Sequence, residues 1–350
     1  MSAPRYRWQP TTDEIAAAAG IPPSEVVRFD HNTSPFPTDW ATDVVAGPAR
    51  GLNEYPGASY RPLREAAGRY AEQPADRVAV GAGVDELILL AARAFLGAGG
   101  RAVAVTPSYP LYRIATLQAG GALNEIASVG PDLAFPVDAI IEAARDADIT
   151  WLCVPDNPTG ARIADDAIGA IIAATDGTVI LDAAYAEFAG DSWGQWTDRH
   201  HNLLVLHTLS KAFGVGGIRV GFGLGHPDLI EAIDAVRPPG SIASLSVEVA
   251  IAALEDPGRM RRQVAELVTR REVLSSELGR LGFRVLASQT NFLLCEVGPM
   301  AGAIGESLMR RGLVVRAFSQ NPTLGDYLRI TVRTAEQNNR LIEALEKELA

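Results

Sequence analysis

The stretch TLSKAFGVGGIRVG, residues 208–221, contains a residue type that could carry covalent chemistry. The chain has 31 basic residues, and only two of them, Lys211 and Lys347, are lysines. Lys347 lies in a polar C-terminal segment, where an arginine would serve at little cost. An ammonium group can lose its proton and become a nucleophilic amine, which a guanidinium does not do in proteins. Lys211 is therefore the first candidate for a catalytic residue.

Polar or aromatic residues follow five predicted strands at the point where each strand ends. In chain order, the turn GAG follows RVAV, Tyr109 follows AVAV, Asn157 follows ITWLCV, Asp182 ends TVILD, and Ser210 with Lys211 follows LLVLH. Parallel sheets bind their ligands outside the carboxyl ends of the strands. Taken singly, Asp182 could be a helix N-cap and DNPTG a simple turn. Their joint placement beside the rare lysine predicts a shared site.

The chemistry of these residue types indicates a phosphorylated pyridine aldehyde. A lysine amine forms a Schiff base with an aldehyde, and a carboxylate can hold a pyridine nitrogen protonated so that the ring accepts electrons. A Gly-rich helix start, a serine hydroxyl and an arginine can hold a phosphate, and an aromatic ring can stack on a heterocycle. Together they predict a pyridoxal 5′-phosphate site, with Lys211 carrying the aldehyde and Ser210 and Arg219 binding the phosphate.

Strands and helices alternate along the chain from about residue 77. Continuous apolar strands separated by helices are typical of a largely parallel sheet covered on both faces. A long charged helix, roughly residues 257–281, and short strands indicate a smaller α+β domain after about residue 240. We predict an α/β fold with a Pro-rich, irregular N-terminal arm and part of the small domain (1–45), a large cofactor-binding domain (46–240) and a small C-terminal domain (241–350).

Composition excludes several other classes of protein. A net charge of −11 argues against nucleic-acid and anionic-membrane partners, which need a basic surface. The N-terminus has no apolar signal core, and no run reaches the ~18–20 apolar residues of a membrane span, so we expect a cytoplasmic protein. Cys153 and Cys295 lie in apolar runs, which predicts buried free thiols. No cysteine or histidine spacing indicates a metal site.

Over nearly its whole length the sequence resembles the fold-type I, class II aminotransferases, most closely the histidinol-phosphate aminotransferase group. SKAFGVGGIRVGF resembles their signature S-K-x-x-x-x-x-G-x-R-x-G-[FY]. PDNPTG and LDAAY are similar to their N-P-T-G and D-E-A-Y motifs. NEYPG resembles the segment that crosses their dimer interface, while GAGVDE and PSYPLY match the phosphate loop and the stacking tyrosine. The resemblance implies the PLP-dependent transferase fold type I, with a mostly parallel mixed sheet between helices, and a homodimer with shared active sites.

The same resemblance implies a role for each matching residue. Lys211 would form the Schiff base and later shuttle the proton, and Asp182 would pair with the pyridine nitrogen. Asn157 and Tyr185 would contact the ring oxygen, and Tyr109 would stack on the ring. The remaining implied contacts are Gly83, Val84, Asp85, Ser210 and Arg219 at the phosphate, Tyr55 at the phosphate of the neighbouring subunit, and Arg329, Asn291 and Arg316 at the substrate.

Three positions depart from the family pattern. Ala183 stands where glutamate is usual, Ser34 in HNTSP replaces an asparagine, and His207 stands where many relatives have arginine. None belongs to the implied cofactor contacts, but the first two weaken the case for histidinol phosphate itself as the substrate. Arg329 could bind a carboxylate or the phosphate of an amino-alcohol phosphate. Arg316 could be a substrate contact or a surface strand residue.

The predicted reaction is a transamination between a small-molecule amino donor and an oxo-acid acceptor, often 2-oxoglutarate in this family. Lys211 would remove the α-proton while Asp182 keeps the ring protonated. A lyase of the threonine-phosphate decarboxylase type on the same fold is the main alternative, and the motifs barely separate the two. Two further alternatives are a cofactor-binding regulator and a cofactor-free α/β domain. The regulator would need a basic DNA-binding module, which we do not expect before the matching region.

Overall fold

The protein is described by a computed structural model that covers residues 8–349. Within this range the strands are short, and most of them are buried, as the apolar runs predict. In chain order they are β1 (Val27–Arg28), β2 (Val78–Gly81), β3 (Arg101–Thr106), β4 (Ala122–Ala127), β5 (Ile149–Cys153), β6 (Thr178–Asp182), β7 (Leu203–Thr208), β8 (Gly221–Leu224), β9 (Arg284–Val285), β10 (Phe292–Glu296), β11 (Leu313–Val314), β12 (Arg316–Ala317) and β13 (Tyr327–Thr331). The more exposed ones are β4, β9 and β12.

Seven strands, β2 to β8, form the central sheet in the order β2-β8-β7-β6-β5-β3-β4. β8 is antiparallel to both of its neighbours, and the other pairs are parallel. The central strands β5, β6 and β7 are buried at every position, as expected where helices cover both faces. The predicted mostly parallel, mixed sheet is confirmed.

Helices connect the strands and cover the sheet on both sides. In chain order they are α1 (Thr12–Ala19), α2 (Trp40–Ala46), α3 (Arg61–Ala71), α4 (Val84–Phe95), α5 (Leu111–Gln118), α6 (Val137–Ala144), α7 (Asp165–Ala174), α8 (Ala186–Ala189), α9 (Trp196–Arg199), α10 (Pro227–Val236), α11 (Ser244–Glu255), α12 (Pro257–Arg280), α13 (Ala301–Arg310) and α14 (Ala335–Leu349). Successive residues of a strand point to opposite faces, so Leu181 and Val205 join one apolar cluster while Ile180 and Leu204 join another.

A second, antiparallel sheet has the order β12-β13-β10-β9 and lies in the C-terminal part of the chain. The long charged helix of the sequence analysis is α12, close to its predicted bounds. β1 pairs in parallel with β11, so a segment from the first 30 residues joins this C-terminal part. The division of the chain at residues 45 and 240 stays a prediction, and residues 1–7 and 350 of its outer parts lie outside the described range.

The expectation of an irregular N-terminal segment is wrong for residues 12–19, which form α1. The reason is a capping box: the Thr11 hydroxyl accepts the Glu14 N–H (3.2 Å), and the Glu14 carboxylate accepts the Thr11 N–H (2.7 Å). This arrangement satisfies helix donors that are otherwise unpaired. Gly20 then ends the helix in the left-handed conformation, with φ +69°.

The cysteine prediction is confirmed, since Cys153 and Cys295 are both buried free thiols. Every helix within residues 8–349 is too short or too polar to cross a lipid bilayer. In the same range, no three side chains of the His, Cys, Asp and Glu types are grouped so that they could hold a metal ion. The cytoplasmic location stays a prediction.

Candidate active site

The candidate catalytic residues lie at the carboxyl end of the central sheet. Asp182 is the last residue of β6 and pairs in register with Cys153, the last residue of β5. Asn157 follows β5 by four residues, and Ser210 and Lys211 follow β7 after one intervening residue, Leu209. Because β5, β6 and β7 are adjacent parallel strands, these residues leave the sheet at the same edge.

Asp182 is a buried carboxylate whose direction is fixed by two hydrogen bonds. The backbone N–H of Ala184 donates to its Oδ1 (3.1 Å), and the Tyr112 hydroxyl donates to its Oδ2 (2.7 Å). Burial raises the pKa of Asp182 to about 6, although the bond from Tyr112 acts to lower it. A carboxylate that is ionised at this depth requires a cationic or donating partner, which a protonated pyridine nitrogen would be.

Lys211 is half-buried, and its Nζ donates to the backbone carbonyl of His31 (3.0 Å). Burial, followed by the positive charge of Arg329, lowers the pKa of Lys211 from 10.5 to about 8. A lysine with this pKa has an appreciable fraction of free amine near neutral pH. Both Schiff-base formation and proton abstraction require the free amine. The Nζ atom lies 6.0 Å from the centre of the Tyr185 ring, so these two side chains are neighbours.

A cradle for an anion forms where α4 begins. Gly83 precedes the helix with φ +82°, and no described side chain caps the first turn, so its backbone N–H groups can bind an anion. A Cβ atom at Gly83 would lie 2.8 Å from the Arg219 guanidinium, so a side chain at this position would push the end of that arginine away from the helix start. Arg219 is in the left-handed region at φ +52° and also donates to the Ser210 hydroxyl (3.4 Å). Such strained backbone is typical of functional sites.

The cradle fits the phosphate that the sequence analysis predicted. Helix N–H groups at Val84 and Asp85, a guanidinium and a hydroxyl are the donors that hold phosphate esters in proteins. The Asp85 carboxylate accepts hydrogen bonds from Arg219 (2.9 Å) and from the Tyr109 hydroxyl (2.9 Å). Tyr109, the predicted stacking residue, is half-buried, and its bond to Asp85 places it beside the cradle.

Tyr185 and Asn157, the two residues predicted at the ring oxygen, are each held by another side chain. The Asn32 amide donates to the Tyr185 hydroxyl (3.0 Å). Arg329 donates to the Asn157 Oδ1 (2.5 Å) and to the backbone carbonyl of Asp30 (2.7 Å). Burial raises the pKa of Tyr185 well above its ordinary value, so its hydroxyl is a neutral donor in the physiological range.

The segment Asp30–Asn32 belongs to the site, and the sequence analysis missed it. Its three backbone carbonyls accept hydrogen bonds from Arg329, Lys211 and Asn291. Asn32 is 2% exposed with φ +53°, a conformation that asparagine adopts more readily than most residues. The sequence pattern that could have indicated this segment is HNTSP, which contains His31 and Asn32. It was interpreted only as a departure from the family motif.

Asn291, a predicted substrate residue, contributes a buried acceptor to the site. Its Nδ2 donates to the Asn32 carbonyl (3.0 Å). Its Oδ1 is buried without a hydrogen-bond partner in the part of the chain that the structure describes. Buried polar atoms are almost always paired in folded proteins. This unpaired oxygen therefore fits a site that is completed by a ligand.

Two further predicted residues stand apart from these contacts. Tyr55 is 97% exposed, so it packs against almost nothing in its own chain. Arg316 lies opposite Arg329 in the antiparallel register of β12 and β13, and its guanidinium lies 5.7 Å from the centre of the Phe318 ring. Opposite residues of an antiparallel pair share a sheet face, so Arg316 lies on the face that carries Arg329.

The three departures from the family motifs have local packing contacts. Ala183 is fully buried directly after β6. The Ser34 hydroxyl accepts the N–H of Phe36 (3.3 Å). His207 stacks on the Phe222 ring, with 5.0 Å between the ring centres.

Comparison with known proteins decides the family. The family description "Aminotransferase class I and II" matches residues 24–345. The chain belongs to this family. It is a pyridoxal-phosphate-dependent aminotransferase, which confirms the resemblance, the cofactor and the enzyme class predicted from the motifs around Lys211.

Curated relatives of this aminotransferase are similar over most of their length. The histidinol-phosphate aminotransferase of Methanothermobacter thermautotrophicus is 35% identical over 344 residues, which cover 95% of this chain and 91% of that protein. The histidinol-phosphate aminotransferase of Caldanaerobacter subterraneus subsp. tengcongensis is 37% identical over 303 residues, 85% of each chain.

Solved structures support the fold. The histidinol-phosphate aminotransferase of Sinorhizobium meliloti, in complex with pyridoxal-5′-phosphate, has a TM-score of 0.87 at 24% identity and covers 98% of this chain and 95% of its own. The L-threonine-O-3-phosphate decarboxylase of Porphyromonas gingivalis has a TM-score of 0.82 at 23% identity, over 93% and 99% of the two chains. At these identities the likeness shows the fold alone, which confirms the predicted fold type I.

The cradle generates a prediction about Gly83. Gly83→Ala should weaken pyridoxal phosphate binding by at least about 10-fold, because the methyl group displaces Arg219 from the helix start. Fluorescence titration of the cofactor-free enzyme measures the affinity. Gly99→Ala is the matched control, because Gly99 also has a positive φ (+77°) but open space around it. Equal effects of the two substitutions would show that backbone strain alone is responsible.

The lowered pKa of Lys211 generates a second prediction. Only the unprotonated amine reacts with acetic anhydride, so trace labelling of Lys211 in the cofactor-free enzyme should rise with pH and be half-maximal near pH 8. Peptide mass spectrometry from about pH 6 to pH 11 measures it, with exposed Lys347 as the internal reference. Arg329→Gln removes a neighbouring positive charge and should move the midpoint upward. A midpoint near 10.5 in the unmodified chain would contradict the account.

Proposed function

We propose that this aminotransferase takes the amino group from a donor with a phosphate at its far end, of the histidinol-phosphate type, and passes it to a 2-oxo acid such as 2-oxoglutarate. The observation that carries the proposal is the register of Arg316 and Arg329. Like charges that are directly opposite across a strand pair destabilise it. A phosphate dianion between or beside the two guanidiniums would reverse that cost and would form charge-assisted hydrogen bonds with both.

Each side chain of the site supports a step of this reaction. Arg329 is held by Asn157 and the Asp30 carbonyl, so its position is set before the substrate arrives. Lys211, with its pKa near 8, can take the α-proton of the donor and return it. With the cofactor bound, Asp182 would hold a proton on the ring nitrogen, and Tyr185 would donate to the ring oxygen. Pyridoxal phosphate, when bound, supplies the electron-accepting ring that the protein lacks.

The relatives support the choice of substrate class. Both curated relatives described above are histidinol-phosphate aminotransferases, at 35% and 37% identity. The threonine-phosphate decarboxylase neighbour shares the fold, and its substrate also carries a phosphate. Decarboxylation therefore stays the alternative reaction, and it needs a carboxylate on the α-carbon of the donor, which an amino-alcohol phosphate does not have.

A donor screen tests this proposal. The screen measures how fast the cofactor absorbance bleaches in single-turnover reactions with histidinol phosphate, histidinol, aromatic amino acids and O-phosphothreonine. The bleaching should be fastest with a phosphorylated donor. Arg316→Gln should raise the KM of that donor by about 10-fold or more with a smaller change in kcat, because a bond to a charged group is lost. Arg280→Gln, an exposed arginine of α12, is the control. A preference for unphosphorylated donors, or CO2 release without 2-oxoglutarate, would contradict the proposal.

We propose in addition that two copies of the chain form a dimer with shared active sites. Tyr55 is 97% exposed and nearby Leu52 is 57% exposed, which leaves an aromatic and an aliphatic side chain for a partner to cover. In this arrangement, the hydroxyl of Tyr55 reaches the cofactor phosphate of the other subunit.

Mixed dimers test the shared site. In a dimer of one Lys211→Ala chain and one Tyr55→Phe chain, one site has both defects and the other has neither. The intact site should show wild-type cofactor affinity, whereas the Tyr55→Phe homodimer should bind pyridoxal phosphate about 10-fold more weakly. If Tyr55 served its own chain, the Lys211-containing site of the mixed dimer would keep the weakened affinity. A monomer in sedimentation analysis would exclude the arrangement altogether.

A further inference from the structure

Tyr112 of α5, the last residue of PSYPLY, makes the shortest hydrogen bond to Asp182, although the family resemblance implies a role only for Tyr109 of that motif. The residue is 2% exposed, and its hydroxyl lies 2.7 Å from the Asp182 Oδ2. A phenol that donates to a carboxylate at this distance forms a strong, charge-assisted bond. The bond is buried in the apolar cluster on one side of the central sheet, where water does not compete with it.

The position of the Tyr112 ring is itself fixed from a second side. The ring stacks on the indole of Trp151, with 5.3 Å between the ring centres and an angle of 12°. The indole Nε1 donates to the Thr116 hydroxyl (3.1 Å), and Thr116 lies four residues after Tyr112 on the same helix. The bond to Thr116 fixes the indole on which the phenol stacks, so the Tyr112 ring cannot swing away from Asp182 without breaking the stack.

The Asp182 carboxylate therefore has one donor on each oxygen. Ala184 donates to Oδ1, and Tyr112 donates to Oδ2. Of the two, only Tyr112 is a side chain and can be removed by substitution. Without it, burial in the same apolar surroundings would act on Asp182 with less opposition, and the carboxylate would attract a proton more strongly.

We propose that Tyr112 is a positioning residue that keeps the Asp182 carboxylate ionised and aimed at the ring nitrogen of pyridoxal phosphate. The inference rests on the proposed role of Asp182. Loss of the phenol would make the Asp182 carboxylate a stronger base. The proton between this carboxylate and the ring nitrogen would then move toward the carboxylate. A ring without that proton accepts electrons less well, so α-proton removal slows.

Nuclear magnetic resonance of the holoenzyme with ring-15N-labelled pyridoxal phosphate tests the inference. In Tyr112→Phe, the 15N resonance should move from the position of a protonated pyridine toward that of a neutral one. The rate of the first half-reaction should fall about 10-fold. Tyr70→Phe is the matched control, because Tyr70 also donates to a largely buried carboxylate, that of Glu187 (3.3 Å), and it should leave the resonance in place.

Asp182→Asn separates this inference from the role on which it depends. If Asp182→Asn shifts the 15N resonance and Tyr112→Phe does not, the inference about Tyr112 is overturned while the role of Asp182 stands. If neither shifts it, both are overturned. Should Tyr112→Phe fold poorly, p-aminophenylalanine at position 112 keeps the ring and a weaker donor, and it should give an intermediate shift. An unshifted resonance in that variant also overturns the inference.

Discussion

Oppositely charged groups at the carboxyl end of the central sheet, the buried Asp182 and the half-buried Lys211, are the feature on which the candidate active site depends. Asp182 lies where burial raises its pKa, and Lys211 lies where burial lowers its pKa, so each is less charged than it would be in water. Arg329 adds a further positive charge beside Lys211. A ligand that combines an aldehyde, a basic ring nitrogen and a phosphate supplies a partner to each of these groups.

The backbone around the site is built so that these groups can approach one another. A Cβ atom at Gly221, where β8 begins, would lie 2.8 Å from the Val84 nitrogen, so β8 and the start of α4 meet only because glycine is there. Gly83 likewise admits the Arg219 guanidinium. The backbone carbonyls of the segment Asp30–Asn32 accept hydrogen bonds from Lys211, Arg329 and Asn291. The site is therefore assembled from parts of the chain that are far apart in sequence.

Local sequence patterns predicted the parts of this molecule that local physics decides. Apolar runs gave the strands of the central sheet, and the residues that end those strands included Asp182, Asn157 and Lys211. The helix α1 was not predicted because the prolines of this segment indicated irregular structure. The capping box of Thr11 and Glu14, which favours a helix, was not taken into account. The family motifs supplied Arg329 and Asn291, which no strand-end rule indicates.

The features of the site that the sequence did not predict depend on long-range contacts. The bond from Asn291 to the Asn32 carbonyl joins residues 259 positions apart, and that from Tyr112 to Asp182 joins residues 70 apart. No spacing pattern in the sequence predicts either hydrogen bond. The position of Arg316 also depends on a long-range contact. The sequence around it allowed a surface role or a substrate role, and only the strand register with Arg329 places it on the same sheet face as Arg329.

The central claim is that one amine, that of Lys211, carries the cofactor. Reduction of the holoenzyme with borohydride, followed by peptide mapping, tests it most directly because the chain offers only Lys347 and the N-terminal amine as competitors. The account predicts a single reduced pyridoxyl adduct on the peptide that contains Lys211, and none in Lys211→Ala. An adduct on Lys347 or on the N-terminus, or the absence of any adduct from a protein that retains pyridoxal phosphate, would contradict it.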